Sequence, residues 1–163
     1  MTAQISERLV YEGQTMSLLS NPLTSYFAKG GHSPDFAATS TALWRGYVGT
    51  WEVLGDRLYL VKLEGTLKSG EEANLETVFP GFPDRVFAHW FTGQLRVPRG
   101  RQLKYVHQGY ASTFEQDLLL DVQDGVLVRS EIRHNGVAQP DAPSGYGVGA
   151  MLTLPVKREG QQP

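Results

Sequence analysis

The chain has 163 residues, no cysteine, and a net charge of −2 from 15 Lys plus Arg against 17 Asp plus Glu. That length suits one domain, and the missing thiols exclude disulfides and thiolate metal sites and point to a reducing cytoplasm. The near-neutral balance excludes a global field that would gather nucleic acid or an anionic membrane.

The first eleven residues carry Glu7 and Arg8 and no apolar core, which is not the pattern of a signal peptide. Apolar runs are short all along the chain, far below the roughly 20 residues of a membrane-crossing helix. Eighteen glycines, nine prolines and short segments rich in Val, Leu, Tyr and Trp predict strands, because β-branched and aromatic side chains suit a pleated surface. The expected fold is mainly β, an antiparallel barrel or sandwich with one short helix.

In chain order, Asn21-Pro22 predicts the start of that helix, over 22–29, with Gly30-Gly31 to end it. Gly55-Asp56, between two apolar runs, predicts a hairpin with a type II′ turn. Pro98-Arg99-Gly100-Arg101 predicts a second hairpin joining 86–97 to 103–110. Alternation along it assigns Phe91, Leu95, Val97 and Val106 to the core, with His89 on that same face, and turns Trp90, Gln94, Arg96, Tyr105 and His107 the other way. Asp124-Gly125 predicts a third hairpin with a type I′ turn, joining 118–122 to 126–132. Residues 1–136 form a single β-rich domain in this reading, and 137–163 a Pro/Gly-rich C-terminal extension in which 151–156 could return as an edge strand.

Two segments share the pattern Gly-Tyr-x-x-Thr-aromatic-Glu, one beginning at Gly46 and ending at Glu52, the other beginning at Gly109 and ending at Glu115. The repeat suggests an internal duplication, and it predicts that Trp44, Tyr47, Trp51, Tyr110 and Phe114 supply much of the core. Trp44-Arg45-Gly46-Tyr47-Val48-Gly49-Thr50-Trp51-Glu52, with Gly93-Gln94-Leu95-Arg96-Val97-Pro98 and Tyr105-Val106-His107-Gln108-Gly109-Tyr110, resembles a family of small uncharacterised bacterial proteins. The resemblance spans about residues 8–135 and implies a bacterial, cytosolic setting. It brings no activity and no catalytic residue.

The residues themselves support no reaction. His32, His89, His107 and His134 never fall at metal-ligand spacing, so no metal is expected. Glu52 and Glu115 could form an acid–base pair only if the fold brought them together. No Gly-x-Ser-x-Gly elbow occurs, and Gly145-Tyr146-Gly147-Val148-Gly149 lacks the Lys-Ser/Thr of a phosphate loop, so neither a serine nucleophile nor a cofactor is expected.

The leading expectation is therefore a non-enzymatic binding or interaction protein, an accessory or immunity-type partner, whose surface is Trp90, Gln94, Arg96, Tyr105 and His107. The alternative is a small-molecule-binding β-barrel with hydrolase or isomerase activity. A third reading binds nucleic acid through the cations Arg96, Arg99, Arg101 and Lys104 of the predicted basic hairpin.

Overall fold

The structure, a computed structural model, describes residues 2–146. The predicted edge strand at 151–156 lies outside them. The chain runs β1 (Glu7–Tyr11), β2 (Gln14–Leu18), α1 (Pro22–Ala28), β3 (Tyr47–Leu54), β4 (Arg57–Thr66), β5 (Glu72–Ala73), α2 (Leu75–Val78), β6 (Val86–Phe87), β7 (Gly93–Lys104), β8 (Thr113–Gln123) and β9 (Val126–His134). The mainly β reading holds. All nine strands join one sheet, in the order β2-β1-β3-β4-β9-β8-β7, with β5 and β6 side-paired to β4.

Every pairing is antiparallel except β1 with β3, so the sheet is mixed. It curls until its two ends meet: Leu19 N–H donates to Arg96 O at 2.8 Å just beyond β2. No ladder joins β2 to β7, and the sheet is not closed into a barrel. Trp51, Leu9, Leu18, Leu60, Leu95 and Leu120 fill the inside of the curl and are fully buried.

Two turns carry the predicted hairpins. Asp124 and Gly125 both take positive φ (49° and 82°), the type I′ geometry that matches the twist of the flanking strands. Gly55 and Asp56 do the same (55° and 62°), which makes that turn type I′ and corrects the type II′ expectation. Aspartate tolerates the left-handed region, so the second position did not need glycine. A third tight turn, Glu12-Gly13, joins β1 to β2 and was not foreseen.

The hairpin expected at 98–101 does not exist. Those residues lie inside β7, which continues along β8 through bulges at Arg99 and Gln102. Gly100 does take positive φ (82°), but at a bulge. Glu115 locks it there, its carboxylate accepting the Arg101 N–H at 2.8 Å and the Ala138 N–H at 3.0 Å. Those two backbone donors lower its pKa.

α1 begins at Pro22 as predicted, yet Asn21 makes no side-chain cap. Its Oδ1 instead accepts from the Tyr110 hydroxyl at 2.7 Å. The second helix, α2, was missed; its capping box runs from Asn74 to Thr77.

Of the five aromatics assigned to the core, Tyr47, Trp51 and Phe114 are buried, Tyr110 is half-buried and Trp44 is exposed. Burial and the nearby Glu7 carboxylate raise the Tyr47 pKa, to about 12. The repeated segments differ in structure: the first lies in β3 from Tyr47 on, the second enters β8 only at Thr113, and β3 pairs with a parallel strand where β8 pairs with two antiparallel ones. Glu52 on β3 and Glu115 near the start of β8 are three strand positions apart in the sheet order. Glu115 is moreover committed to the Arg101 and Ala138 N–H groups, which is not the arrangement of a glycosidase carboxylate pair.

Candidate functional site

With the hairpin gone, the five residues assigned to one surface separate. Trp90 is buried in a turn before β7, its ring stacked on Phe79 at 5.6 Å and edge-on to Trp51 at 6.3 Å. Its indole N–H donates to Pro22 O at 2.9 Å, so both the polar and the apolar parts of the side chain are engaged inside. His89, expected in the core, is exposed. The strand alternation used to place the two residues does not operate there, because 88–91 form a turn in which Phe91 N–H donates to Ala88 O.

The position of Trp90 has a measurable consequence. Trp90→Ala should cost about 3–5 kcal/mol of unfolding free energy, as a buried tryptophan truncation does. Urea unfolding of the variant beside the parent checks this; a loss below about 1 kcal/mol would contradict the burial.

Gln94 and Arg96 share the outer face of β7. Gln94 is exposed and donates to Asp121 Oδ1 across the strand pair at 3.0 Å. Arg96 is committed on three sides: Nε to Asp117 Oδ1 at 3.0 Å, and the two terminal nitrogens to Tyr110 O and Ser112 O, each at 2.8 Å. It ties the loop before β8 onto β7. Tyr105 and His107 form a separate exposed pair, the hydroxyl 2.7 Å from Nδ1. Of the other cations, Arg101 donates to Ala142 O at 2.7 Å, Arg99 is half-buried and Lys104 is exposed.

Two buried carboxylates, neither singled out in the sequence, organise the interior. Glu7 is wholly enclosed; it accepts from Arg45 at 2.8 Å, from Gly49 N–H at 2.8 Å and from the Trp51 indole at 3.0 Å. Burial pushes its pKa up, and the charge of Arg45 opposes that. Asp117, on β8, accepts from Arg96, from Arg133 at 2.5 Å and from Asn135 at 3.1 Å. Burial would raise its pKa too, but these donors outweigh it and the net shift is downward. Both groups are saturated by neighbours in the chain, which leaves neither poised for proton transfer with a substrate. Among the described residues no three His, Asp or Glu gather where a metal ion could be held.

A shallow groove of about 380 Å³ lies between the end of β7 and residues 139–143, lined by Gln102, Leu103, Tyr105 and Asp141 among others. Gln102 Nε2 in its wall is buried without a hydrogen-bond partner. It is a donor that an acceptor in the groove would satisfy.

The most unusual surface is β9, a strand exposed at every position but Leu127. On one side it pairs with β8 over its whole length. On the other it meets β4 at a single position, Arg57 with Val126, and Leu127 N–H donates to Asp56 O. Beyond that point β4 is already taken, because β6 pairs with Tyr59 and Leu60 and Ala88 N–H donates to Leu58 O.

Asn135 N–H donates to Glu115 O on β8, and alternation then turns the backbone N–H and C=O groups of Ser130, Ile132 and His134 to the open side. No described residue pairs with that edge. Val128 (59% exposed) and Ile132 (45%) stand uncovered beside it. Ile132 shares its sheet face with the buried Leu118 opposite, so it extends a core face past the body of the domain. Edge strands are commonly kept short, bulged or covered, since an open apolar edge templates pairing with another chain.

Compared with known proteins, the chain matches no family model, no curated protein and no solved structure.

Proposed function

We propose that this chain is a non-enzymatic interaction protein that takes up a protein partner by strand addition to β9. The observation that carries the reading is the open edge at Ser130, Ile132 and His134, flanked by uncovered Val128 and Ile132. Strand addition uses main-chain hydrogen bonds for affinity and side-chain pockets on alternate residues for specificity, and β9 offers both. The internal saturation of Glu7, Asp117 and Arg96 agrees with a scaffold rather than a catalyst. The resemblance to small bacterial proteins and the lack of cysteine support a bacterial cytoplasm as the setting of the encounter.

The experiment compares affinity capture from the native host by the wild type and by Ile132→Lys. Lysine on an exposed edge blocks strand addition, and at a half-exposed position it leaves the fold intact. A protein recovered stoichiometrically with the wild type and lost with the variant supports the reading. Equal capture by both overturns it, and so does none by either from a bait that light scattering shows to be monomeric.

The groove favours a second reading, small-molecule binding, through the partnerless Gln102 Nε2. A compound carrying an acceptor oxygen that raises the melting temperature of the wild type but not of Gln102→Leu supports it. A shift equal in the two proteins contradicts it.

A further inference from the structure

We propose that the partner on β9 is a second copy of this chain, the two β9 strands pairing antiparallel about a twofold axis at Ile132. The inference rests on the strand-addition reading and goes beyond it by naming occupant and register. In a twofold interface each residue meets its symmetry mate's counterpart, so β9 must be complementary to itself. Its charges are Arg129, Glu131 and Arg133, all exposed and all on one face, Arg133 also donating to Asp117 of its own chain.

With the axis at Ile132, Glu131 lies opposite the partner's Arg133, and Arg133 opposite the partner's Glu131. Ile132 then meets the partner's Ile132, apolar against apolar, and Ser130 meets the partner's His134. Each outward N–H and C=O of Ser130, Ile132 and His134 finds a backbone partner in this register, because an antiparallel pair of outward residues exchanges two hydrogen bonds.

Neighbouring registers fail on the same residues. An axis at Glu131 sets Glu131 against the partner's Glu131 and Arg129 against the partner's Arg133, like charges directly opposite. An axis at Arg133 sets the two Arg133 side chains against each other. An axis at Ser130 keeps opposite charges together but brings the partner's His134 onto Val126, which already pairs with Arg57 beside the Asp56 turn. The axis at Ile132 leaves that turn clear. Glu131 also keeps its contact with Arg129 of its own strand at 3.4 Å, so each carboxylate sits between two guanidinium groups.

The test uses the full chain, whose lack of cysteine makes any introduced thiol the only one. In the proposed register, opposite Cα atoms at the axis stand about 5.5 Å apart, within the roughly 4.4–6.8 Å a disulfide spans. Ile132→Cys should therefore form a covalent dimer under mild oxidation, and Arg99→Cys on β7 should not. Light scattering after size exclusion should give twice the chain mass, falling with dilution. Glu131→Arg, exposed and outside both buried networks, should fold normally and weaken the dimer about tenfold or more, since it turns two attractive pairs repulsive.

A monomer over the whole dilution series with no Ile132→Cys dimer overturns the inference, and so does a dimer that Glu131→Arg leaves untouched. A monomer that still captures a different protein through an Ile132-dependent contact removes the second copy but keeps strand addition. Failure of both experiments removes both.

Discussion

Replacing Glu7 by alanine is expected to remove about 3–5 kcal/mol of unfolding free energy, the cost of leaving a buried charge without its partner. The side chain is fully enclosed and serves three donors from β3 and the segment before it: Arg45, Gly49 N–H and the Trp51 indole. Alanine leaves the Arg45 guanidinium, 10% exposed, facing a gap, and two further donors unsatisfied. Glu7→Gln keeps one acceptor oxygen and should lose distinctly less. Denaturant unfolding of the three proteins measures this, and a glutamine variant as stable as the wild type would show that the side chain contributes only volume.

The second large effect belongs to Asp117. Asp117→Asn should destabilise the protein at neutral pH by about 3 kcal/mol or more, because an amide presents N–H to guanidinium groups that need an acceptor. Its pH dependence has a definite sign. Burial would raise the pKa, but hydrogen bonds from Arg96, Asn135 and Arg133 hold it below the ordinary value. A carboxylate depressed in the folded state contributes stability that is present above its unfolded pKa of about 3.9 and is lost as pH falls through the folded value. The wild type should therefore lose stability on acidification below about pH 4, and Asp117→Asn should lack that part of the slope. Parallel profiles for the two proteins would contradict the assignment.

Local turn chemistry was readable in the sequence, and contacts between distant segments were not. Asp124-Gly125 announces a hairpin because both residues accept the left-handed region, and the turn formed as read. Pro98-Arg99-Gly100 has the same turn composition, yet a carboxylate from Glu115 on the next strand holds it as a bulge. Nothing near Pro98 records that, so the surface inferred from the false hairpin came apart: Trp90 joined the core, and Tyr105 and His107 paired away from Gln94.

Glu7 could have been noticed. Strand alternation puts it on the same face as the buried Leu9, and a charge on a core face calls for a partner such as Arg45. The open side of β9 had no local signal. Its alternating sequence resembles that of any half-buried strand, and its exposure arises because β6 and Ala88 occupy the edge of β4.

The claim that β9 is a recognition strand is tested most directly by a photoreactive amino acid placed at Ser130, on the open edge, and irradiated in living cells of the native host. A matched probe at Glu71, exposed on the turn before β5, serves as the control. The account predicts that the Ser130 probe joins one discrete polypeptide, a second copy of the chain or another protein, and that the Glu71 probe does not. No adduct at Ser130, or the same adducts from both positions, would contradict it.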